Sequence, residues 1–167
     1  MSRKQASTRA QLSHLDAQGR ARMVDVSEKP NTKRVAIAQG AISLSPETLR
    51  LIVTEKIPKG DVLTVAKVAA IAGAKKTSEL IPLCHPIPLD SLDIEFHPDL
   101  KAGRLTVTAT ATSTGKTGVE MEALTACAVA LLTIYDMCKS AERSMTIEAI
   151  FLVEKRGGRS GTWKRPS

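Results

Sequence analysis

Alternating apolar and polar positions predict four β-strands along the chain. The first covers residues 34–44, where Gly40 marks a candidate β-bulge. Its apolar positions are Val35, Ile37, Ile42 and Leu44. Residues 92–114 predict a hairpin, because apolar residues alternate with charged residues on its first arm and with threonines on its second. This alternation gives the sheet one packed face and one polar face, and a last strand is predicted over 145–155.

Apolar residues at helical spacing predict three helices. The first covers residues 45–55 and opens with a Ser-Pro pair, which suits the cap and first turn of a helix. The second covers 61–76, and the third, over 119–141, is apolar on almost every side in its middle. Such a helix is normally buried all round. Because a single sheet-plus-helix layer would leave one side in water, we expect the third helix to pack against another subunit as well.

The predicted order of elements is β-α-α-β-β-α-β. Without its second helix, this order is the split β-α-β pattern of ferredoxin-like folds. We therefore predict an α+β protein, a ferredoxin-like two-layer sandwich (βααββαβ) with an antiparallel sheet. The length of 167 residues suits a single domain. We place this domain at residues 21–160, between a flexible basic tail at 1–20 and a C-terminal tail at 161–167.

Composition indicates the compartment in which the protein works. Hydrophobic residues make up 43% of the chain and aromatic residues only 2%, so the core must be built mainly from aliphatic side chains. No uninterrupted apolar run reaches the ~18 residues of a membrane span, and the N-terminus lacks the apolar core of a secretory signal. Three cysteines without a CxxC pair indicate free thiols. We therefore expect a cytoplasmic protein without membrane association.

The net charge of +7 is concentrated at the two ends of the chain. Residues 1–34 contain eight Lys/Arg and three Asp/Glu, a net +5, and residues 151–167 contain five and one, a net +4. Basic arms of this kind bind nucleic acid or fold over a small anion. Sequence-specific RNA binding relies on aromatic stacking, and the whole chain has four aromatic residues. Because aromatic residues are so few, a nucleic-acid-binding ferredoxin-like module is only an alternative prediction. A second alternative is a non-catalytic assembly protein built around the apolar third helix.

The segment IPLCHPIP, residues 81–88, holds a thiol and an imidazole between prolines. Proline fixes φ and removes a hydrogen-bond donor, so neither a helix nor a central strand can continue through this segment. We predict a stiff extended segment that directs Cys84 and His85 either against the core or toward a ligand. No metal site is predicted, because adjacent residues rarely bind one ion together and no second cluster has zinc-ligand spacing.

Two glycine-containing segments are candidates for anion binding. TSTGKTG, residues 112–118, lies between a strand and a helix, where backbone N–H groups bind an anion or simply form the turn. It is not a Walker A motif, because Thr110 stands where that motif requires glycine. EKRGGRSG, residues 154–161, combines three cations with three glycines, so it either closes on phosphate oxygens or is a frayed tail.

Several titratable side chains are candidates for proton transfer. Asp136 and Lys139 are three residues apart on one helical face, as a surface ion pair or an acid–base pair. Lys59 lies on a predicted loop, where it would bind a phosphate, act as a catalytic amine or simply be solvated. Glu120 and Glu122 would point to nearly opposite sides of a helix, whereas in an extended segment they would share one face. Acidic residues near the start of a helix also commonly serve only to complement its dipole. Glu122 and Asp136 would be ~21 Å apart on one straight helix, so a site that uses both must be completed by a neighbouring subunit.

Five segments together resemble the molybdenum cofactor biosynthesis protein C (MoaC) family. They are MVDVSEKPNTKR, KGD, LIPLCHPIPL, TGKTGVEMEALTACAVALLTIYDMCKS and GGRSG. The resemblance covers roughly residues 15–162. It implies a cyclic pyranopterin monophosphate synthase, a lyase that converts 3′,8-cyclo-7,8-dihydro-GTP to cyclic pyranopterin monophosphate with release of pyrophosphate. It also implies a homohexamer, a trimer of dimers with its sites between subunits.

The resemblance assigns roles to individual residues. Asp136, Lys139 and Lys59 would form the acid–base group. Substrate contacts would come from Leu83, Cys84, His85, Glu120, Met121, Glu122, Lys75 and Lys155. The two lysines of this set would bind the triphosphate, and Mg²⁺ is considered only as a companion of that triphosphate. The domain at 21–160 is then catalytic, and neither nucleic acid nor a membrane is implied as a partner.

Overall fold

The structure is a computed structural model, and it describes residues 18–20 and 22–166. Most of the predicted basic tail, residues 1–17, lies outside the described residues. In the described part, helices cover one face of an antiparallel sheet. The predicted α+β fold with a ferredoxin-like sandwich is therefore confirmed.

Six strands form the sheet in the described part of the chain. They are β1 (Thr32–Ser43), β2 (Ser91–Asp99), β3 (Arg104–Gly115), β4 (Thr146–Ile147), β5 (Phe151–Arg156) and β6 (Trp163–Lys164). Their order across the sheet is β2-β3-β1-β5-β6, and β4 pairs with the end of β1. β1 and β3 pair along their whole length, so these two strands form the centre of the sheet.

The helices are α1 (Pro46–Val53), α2 (Val62–Lys75), α3 (Thr77–Leu80) and α4 (Glu120–Cys138). Ser45 caps α1 and Asp61 caps α2, and each side chain accepts a hydrogen bond from a backbone N–H of the first turn. α4 packs against α2 and lies across β1 and β3. α3 was not expected from the sequence pattern, and it forms a single turn between α2 and the proline-rich segment.

The face of the sheet beneath α2 and α4, here called the helix face, forms the core. Its fully buried apolar side chains on β1 and β3 are Ala36, Ala38, Ile42, Leu105, Val107, Ala109 and Ala111. The opposite face, here called the open face, carries Val35 and Ile37 beside the threonines of β3. The alternation predicted for the hairpin is therefore confirmed on β3, where small and branched residues face the helices.

The predicted bulge at Gly40 is wrong. Gly40 pairs in register with Val107. A Cβ at this position would lie 2.9 Å from both Ile150 Cγ1 and Leu131 Cδ1, so the strand needs glycine because side chains press closely against it. Without a bulge there, Val35 and Ile37 do not share a face with Ile42. The irregularity in the sheet lies instead between β1 and β5.

The strand predicted over 145–155 is interrupted between β4 and β5. At the break, the carboxylate of Glu148 accepts a hydrogen bond from Arg104 Nε at 3.0 Å and contacts Ser43 Oγ. The Glu148 backbone N–H donates to the carbonyl of Ala41 at 2.8 Å. These contacts hold the chain beside β1 while the pairing changes from β4 to β5. Further along, β6 lies inside the segment that was assigned to a C-terminal tail.

α4 is long and apolar enough, by length and composition alone, to cross a membrane. Half of that stretch is buried within the fold, as in the core helix of a folded domain. Its outer side exposes Leu132 at 60%, and α2 exposes Val65 and Val68. The burial on every side that the sequence predicts for α4 is therefore not reached within one chain.

Candidate active site

The proline-rich segment between α3 and β2 forms neither a helix nor a strand, as predicted. It is not extended throughout, because Pro82 and Leu83 form a turn in which the Cys84 N–H donates to the carbonyl of Ile81 at 3.0 Å. Two hydrogen bonds tie its end to β3. Ser113 Oγ donates to the carbonyl of Pro88 at 2.7 Å, and the Asp90 N–H donates to the carbonyl of Thr112 at 2.9 Å. Because β3 leads directly into the turn before α4, these bonds bring the segment next to the start of that helix.

A cavity of about 230 Å³, here called the Cys84 cavity, lies between this segment and the first turn of α4. Its lining residues are Leu83, Cys84, His85, Ile87, Thr117, Gly118, Glu120, Met121 and Glu122. Six of the eight residues predicted to contact substrate therefore share one cavity. Their individual roles stay predictions, but the fold brings them together.

Glu120 and Glu122 both line the Cys84 cavity, although side chains two residues apart on a helix point to nearly opposite sides. Glu120 is the first residue of α4, and its carboxylate folds back over Gly118. A Cβ on Gly118 would lie 1.9 Å from Glu120 Oε2. The absence of a side chain at Gly118 thus allows the two carboxylates to approach the same cavity.

Glu122 is the buried acid of the Cys84 cavity. It is 3% exposed, and its Oε2 has no hydrogen-bond partner among the residues that the structure describes. Burial raises the pKa of Glu122 to about 6, and the charge of Glu120 acts in the same direction. Burial and the charge of Glu122 also raise the pKa of the Cys84 thiol. A carboxyl group that titrates near neutral pH suits proton exchange with a bound ligand.

A second cavity, of about 400 Å³, adjoins the first and is here called the cation cavity. Thr117, Gly118 and Glu120 line both cavities. Six cationic side chains line the cation cavity: Lys29, Arg34, Lys116, Lys155, Arg156 and Arg159. Glu120 is the single carboxylate among its lining residues. This excess of positive charge fits a polyphosphate group.

Glycines of the predicted anion-binding segment allow the cations to come together. Gly157 and Gly158 have φ values of +93° and +73°. A Cβ on Gly158 would lie 1.5 Å from Arg34 Nη1, so a side chain there would displace the guanidinium. Arg34 in turn donates to the carbonyl oxygens of Gly115 and Lys116, at 3.3 and 3.2 Å. The glycine-rich segment is thus ordered around its cations rather than frayed.

The sequence patterns do not single out Lys29 and Arg34 as ligand contacts. The available signal is the net charge of +5 in residues 1–34, which gives no destination for those cations. Pairing of Thr32 with Gly115 brings the start of β1 to the turn that contains Lys116. The cation cavity is therefore a product of strand register, which the sequence does not display.

The segment before β1 lies against both cavities. His85 Nε2 is 2.8 Å from the carbonyl oxygen of Val24, and since a carbonyl only accepts, Nε2 carries the proton in this arrangement. Lys116 Nζ donates to the carbonyl of Ser27 at 2.6 Å. Residues 24–27 thus run beside one side chain of each cavity.

Asp136, Lys59 and Lys139 meet at the other end of α4 and are here called the exposed triad. Lys139 Nζ lies 2.7 Å from Asp136 Oδ1, and Lys59 Nζ lies 3.1 Å from Oδ2. Hydrogen bonds and charge from Lys139 and Lys59 lower the pKa of Asp136. The Asp136 side chain is 59% exposed, so the predicted acid–base group forms but faces solvent in a single chain.

The two groups of candidate residues are separated along α4. Because α4 is continuous, Glu122 and Asp136 are ~21 Å apart along its axis. Lys75, at the end of α2, lines neither the Cys84 cavity nor the cation cavity, so one chain does not bring it to Lys155. Among residues 18–20 and 22–166, no group of three or more His, Cys, Asp and Glu side chains is placed to hold a metal ion.

The fold and these cavities define an α+β protein in which a cavity lined by cations adjoins a cavity that holds a buried acid. The model of the MoaC family matches residues 23–158, and the chain belongs to this family. The resemblance predicted from the five sequence segments is therefore confirmed.

Relatives named cyclic pyranopterin monophosphate synthase align over nearly the whole chain. The protein of Thermomicrobium roseum is 56% identical over 93% of this chain and 94% of its own length. That of Chloroflexus aggregans is 58% identical over 93% and 94%, and that of Novosphingobium aromaticivorans is 58% identical over 92% and 96%.

Proposed function

We propose that this chain is a cyclic pyranopterin monophosphate synthase of molybdenum cofactor biosynthesis. As a lyase, it converts 3′,8-cyclo-7,8-dihydro-GTP to cyclic pyranopterin monophosphate and releases pyrophosphate. Family membership and the printed names of the relatives support this proposal. The structural observation that carries it is the contact between the cation cavity and the Cys84 cavity through Thr117, Gly118 and Glu120.

The two adjoining cavities match the two parts of such a substrate. A triphosphate carries about four negative charges, and six cationic side chains line the cation cavity. The Cys84 cavity offers apolar and polar groups to a purine-derived ring system, including Glu122 Oε2, which has no hydrogen-bond partner among the described residues. One ligand that spans both cavities would therefore satisfy the cations and the buried acid together.

The charge distribution suits release of pyrophosphate. When a ribose oxygen attacks the α-phosphorus, the bond to the bridging oxygen breaks and negative charge develops on pyrophosphate. Lys155 and Arg34, which line the cation cavity, would stabilise that charge. The lining does not fit a protein-bound Mg²⁺, because cations outnumber the one carboxylate. Any Mg²⁺ would therefore arrive on the phosphate oxygens.

The rearrangement of the purine ring requires several proton transfers, for which the chain offers two acid–base groups. Glu122 titrates near neutral pH because it is buried. Asp136 is held as an anion between two lysines. Since these groups are ~21 Å apart on one helix, a complete site would combine the Cys84 cavity of one chain with the exposed triad of another.

A homo-oligomer, as a hexamer built from dimers, would provide such shared sites. The exposed apolar residues Leu132, Val65 and Val68 on the helix pair support burial against another copy of the chain. Location in the cytoplasm is supported by the cysteines, all three of which are free thiols.

The open face of the sheet does not support the nucleic-acid-binding alternative. Its described aromatic residue is Phe151, and the Arg165 guanidinium covers that ring at 4.5 Å from the centroid. Phe96 packs with the core on the helix face. Bases therefore find no row of exposed rings on which to stack.

The proposal is tested by supplying cyclised dihydro-GTP and following release of pyrophosphate and formation of the pterin. Lys59→Ala should lower turnover about 10²–10⁴-fold, because a proton-transfer group is lost. Lys67→Ala is a matched control, because Lys67, on α2, also pairs with an exposed aspartate, Asp93. Absence of both products with the wild-type chain would refute the proposed function.

A further inference from the structure

Strand β5 contains an extra residue that decides which of its side chains faces the helices. Ala38 of β1 pairs with Leu152, but the neighbouring Ile37 pairs with Glu154, so Val153 has no partner on β1. This is a β-bulge, and bulges redirect the side chains that follow them. Downstream of the bulge, Lys155 lies opposite Ala36.

Without the bulge, the helix face would carry Glu154 instead of Lys155. In a regular ladder that keeps Leu152 opposite Ala38, Glu154 would take the position opposite Ala36. Ala36 is a buried residue of the helix face, and Lys155 lines the cation cavity from the position beside it. A slip by one residue would therefore put the Glu154 carboxylate in the place of Lys155 opposite Ala36 and move Lys155 to the place of Arg156 opposite Val35. The cation cavity would lose one cation and gain a carboxylate.

The short strand β6 holds β5 in the bulged arrangement. Lys164 pairs with Glu154 and Trp163 with Lys155. The backbone N–H of Arg165 donates to the carbonyl of Val153, the extra residue, at 2.8 Å. The Glu154 side chain, 11% exposed, contacts Arg156 and lies 3.6 Å from Lys164 Nζ, so its charge is neutralised away from the helix face.

We infer that β6 and the backbone N–H of Arg165 are positioning elements that fix the bulge at Val153 and thereby direct Lys155 into the cation cavity. The inference rests on the proposed function, because it gives β6 a part in binding the triphosphate. The region matched by the family model ends at residue 158, before β6 begins. The mechanism is a control of strand register, not a contact between β6 and the ligand.

A pair of substitutions at Arg165 separates the backbone from the side chain. Arg165→Pro removes the N–H that binds the Val153 carbonyl, whereas Arg165→Ala keeps it and removes the guanidinium from Phe151. Calorimetric titration with inorganic pyrophosphate should show about tenfold weaker binding for Arg165→Pro and a change of no more than about twofold for Arg165→Ala. With substrate, Arg165→Pro should raise KM and also lower kcat, because Lys155 binds the phosphates and stabilises the charge that develops on pyrophosphate, whereas Arg165→Ala should change neither.

A charge reversal tests the slip itself. If Arg165→Pro lets β5 slip, then adding Glu154→Lys places a lysine opposite Ala36 and should restore pyrophosphate binding. In the chain that keeps Arg165, Glu154→Lys should give no gain, because residue 154 then stays on the open face. Thermal unfolding of each variant shows that the compared chains are folded.

The outcomes are distinct. Equal binding by Arg165→Pro and Arg165→Ala would overturn the inference, and so would a failure of Glu154→Lys to restore binding. A wild-type chain that binds no pyrophosphate would instead overturn the proposed role of the cation cavity, and the inference with it.

Discussion

Helix α4 carries a carboxylate near each end, and the two lie in opposite environments. Glu122, in the first turn, is 3% exposed, has a raised pKa and leaves Oε2 without a partner among the described residues. Asp136, in the last turn, is 59% exposed, has two lysine partners and has a lowered pKa. One helix therefore holds two acids whose proton affinities are shifted in opposite directions.

This difference indicates that the two ends have different tasks. A buried carboxyl without a partner is stabilised when a ligand supplies hydrogen bonds. A carboxylate between two lysines is already stabilised as an anion before a ligand binds. We therefore interpret Glu122 as a group completed by the ligand, and the exposed triad as a prepared group that acts on a ligand held by another chain.

The largest effect is expected when the two ends are impaired in separate chains. Glu122→Ala and Asp136→Ala should each lower turnover about 10²–10⁴-fold, the range for a lost acid or base. Mixing the two variants after dissociation and reassociation should restore activity, because hybrid oligomers contain sites with both residues intact. Pyrophosphate release by the mixture, compared with each variant alone, measures this recovery.

Mixing Asp136→Ala with Lys139→Ala is the matched control. These two residues belong to the same exposed triad of one chain, so no hybrid site regains both. Recovery in neither mixture would show that the two ends of α4 do not serve a shared site.

A smaller effect is expected in the free energy of unfolding of Glu122→Gln. The pKa of Glu122 in the folded chain, about 6, lies above the ordinary 4.5, so its contribution to stability is full below pH 4.5 and is lost as the pH rises through 6. Glutamine stays neutral. The difference in free energy of unfolding between the variant and the wild type should therefore shift by about 2 kcal/mol in favour of the variant as the pH rises from about 4 to about 8. Urea unfolding at each pH measures this difference.

Asp136→Asn provides the opposite case for the same measurement. Because the pKa of Asp136 is lowered below 3.8, its contribution is present above that pH and lost only as the pH falls through the lowered value. The variant should show no gain between about pH 4 and pH 8. Equal behaviour of the two variants would contradict the contrast between the ends of α4.

The smallest effect concerns the rigidity of the Cys84 cavity. Replacing Pro82 and Pro86 by alanine should lower kcat/KM about three- to tenfold, because the freed segment must be ordered when substrate binds. Pro98→Ala, on exposed β2, is the control. Steady-state kinetics that are unchanged in the double variant would show that the prolines do not contribute to catalysis.

Long elements of the fold could be predicted because their patterns repeat several times. The alternation in β3 and the apolar spacing of α4 extend over enough residues to identify each element. β6 has two residues, too few for any period to be visible. The break between β4 and β5 falls inside a run whose pattern predicts one continuous strand. Gly40 shows a second limit, since glycine in a strand marks either a bulge or a close neighbour, and only packing separates the two.

The parts of the candidate site that come from short continuous segments of the sequence could be predicted. Cys84 and Glu122 belong to conspicuous local motifs, and the structure places them in one cavity. Arg34 comes close to Lys155 only because β1 pairs with β5. The face of the sheet on which Lys155 lies depends on a β-bulge that no residue type in β5 predicts. Long-range register, rather than local composition, limits what can be deduced.

The close contact between α2 and α4 affects an ion pair at the far end of the two helices, that of Lys59 with Asp136. A methyl group on Gly73 would lie 2.7 Å from Val129 Cγ2, so any larger residue at 73 must move the helix axes apart. Lys59 lies on the loop that enters α2, ~18 Å away along that helix, and it reaches Asp136 on α4. The absence of a side chain at Gly73 therefore sets the distance between α2 and α4. That distance in turn sets the span that Lys59 must cover to reach Asp136.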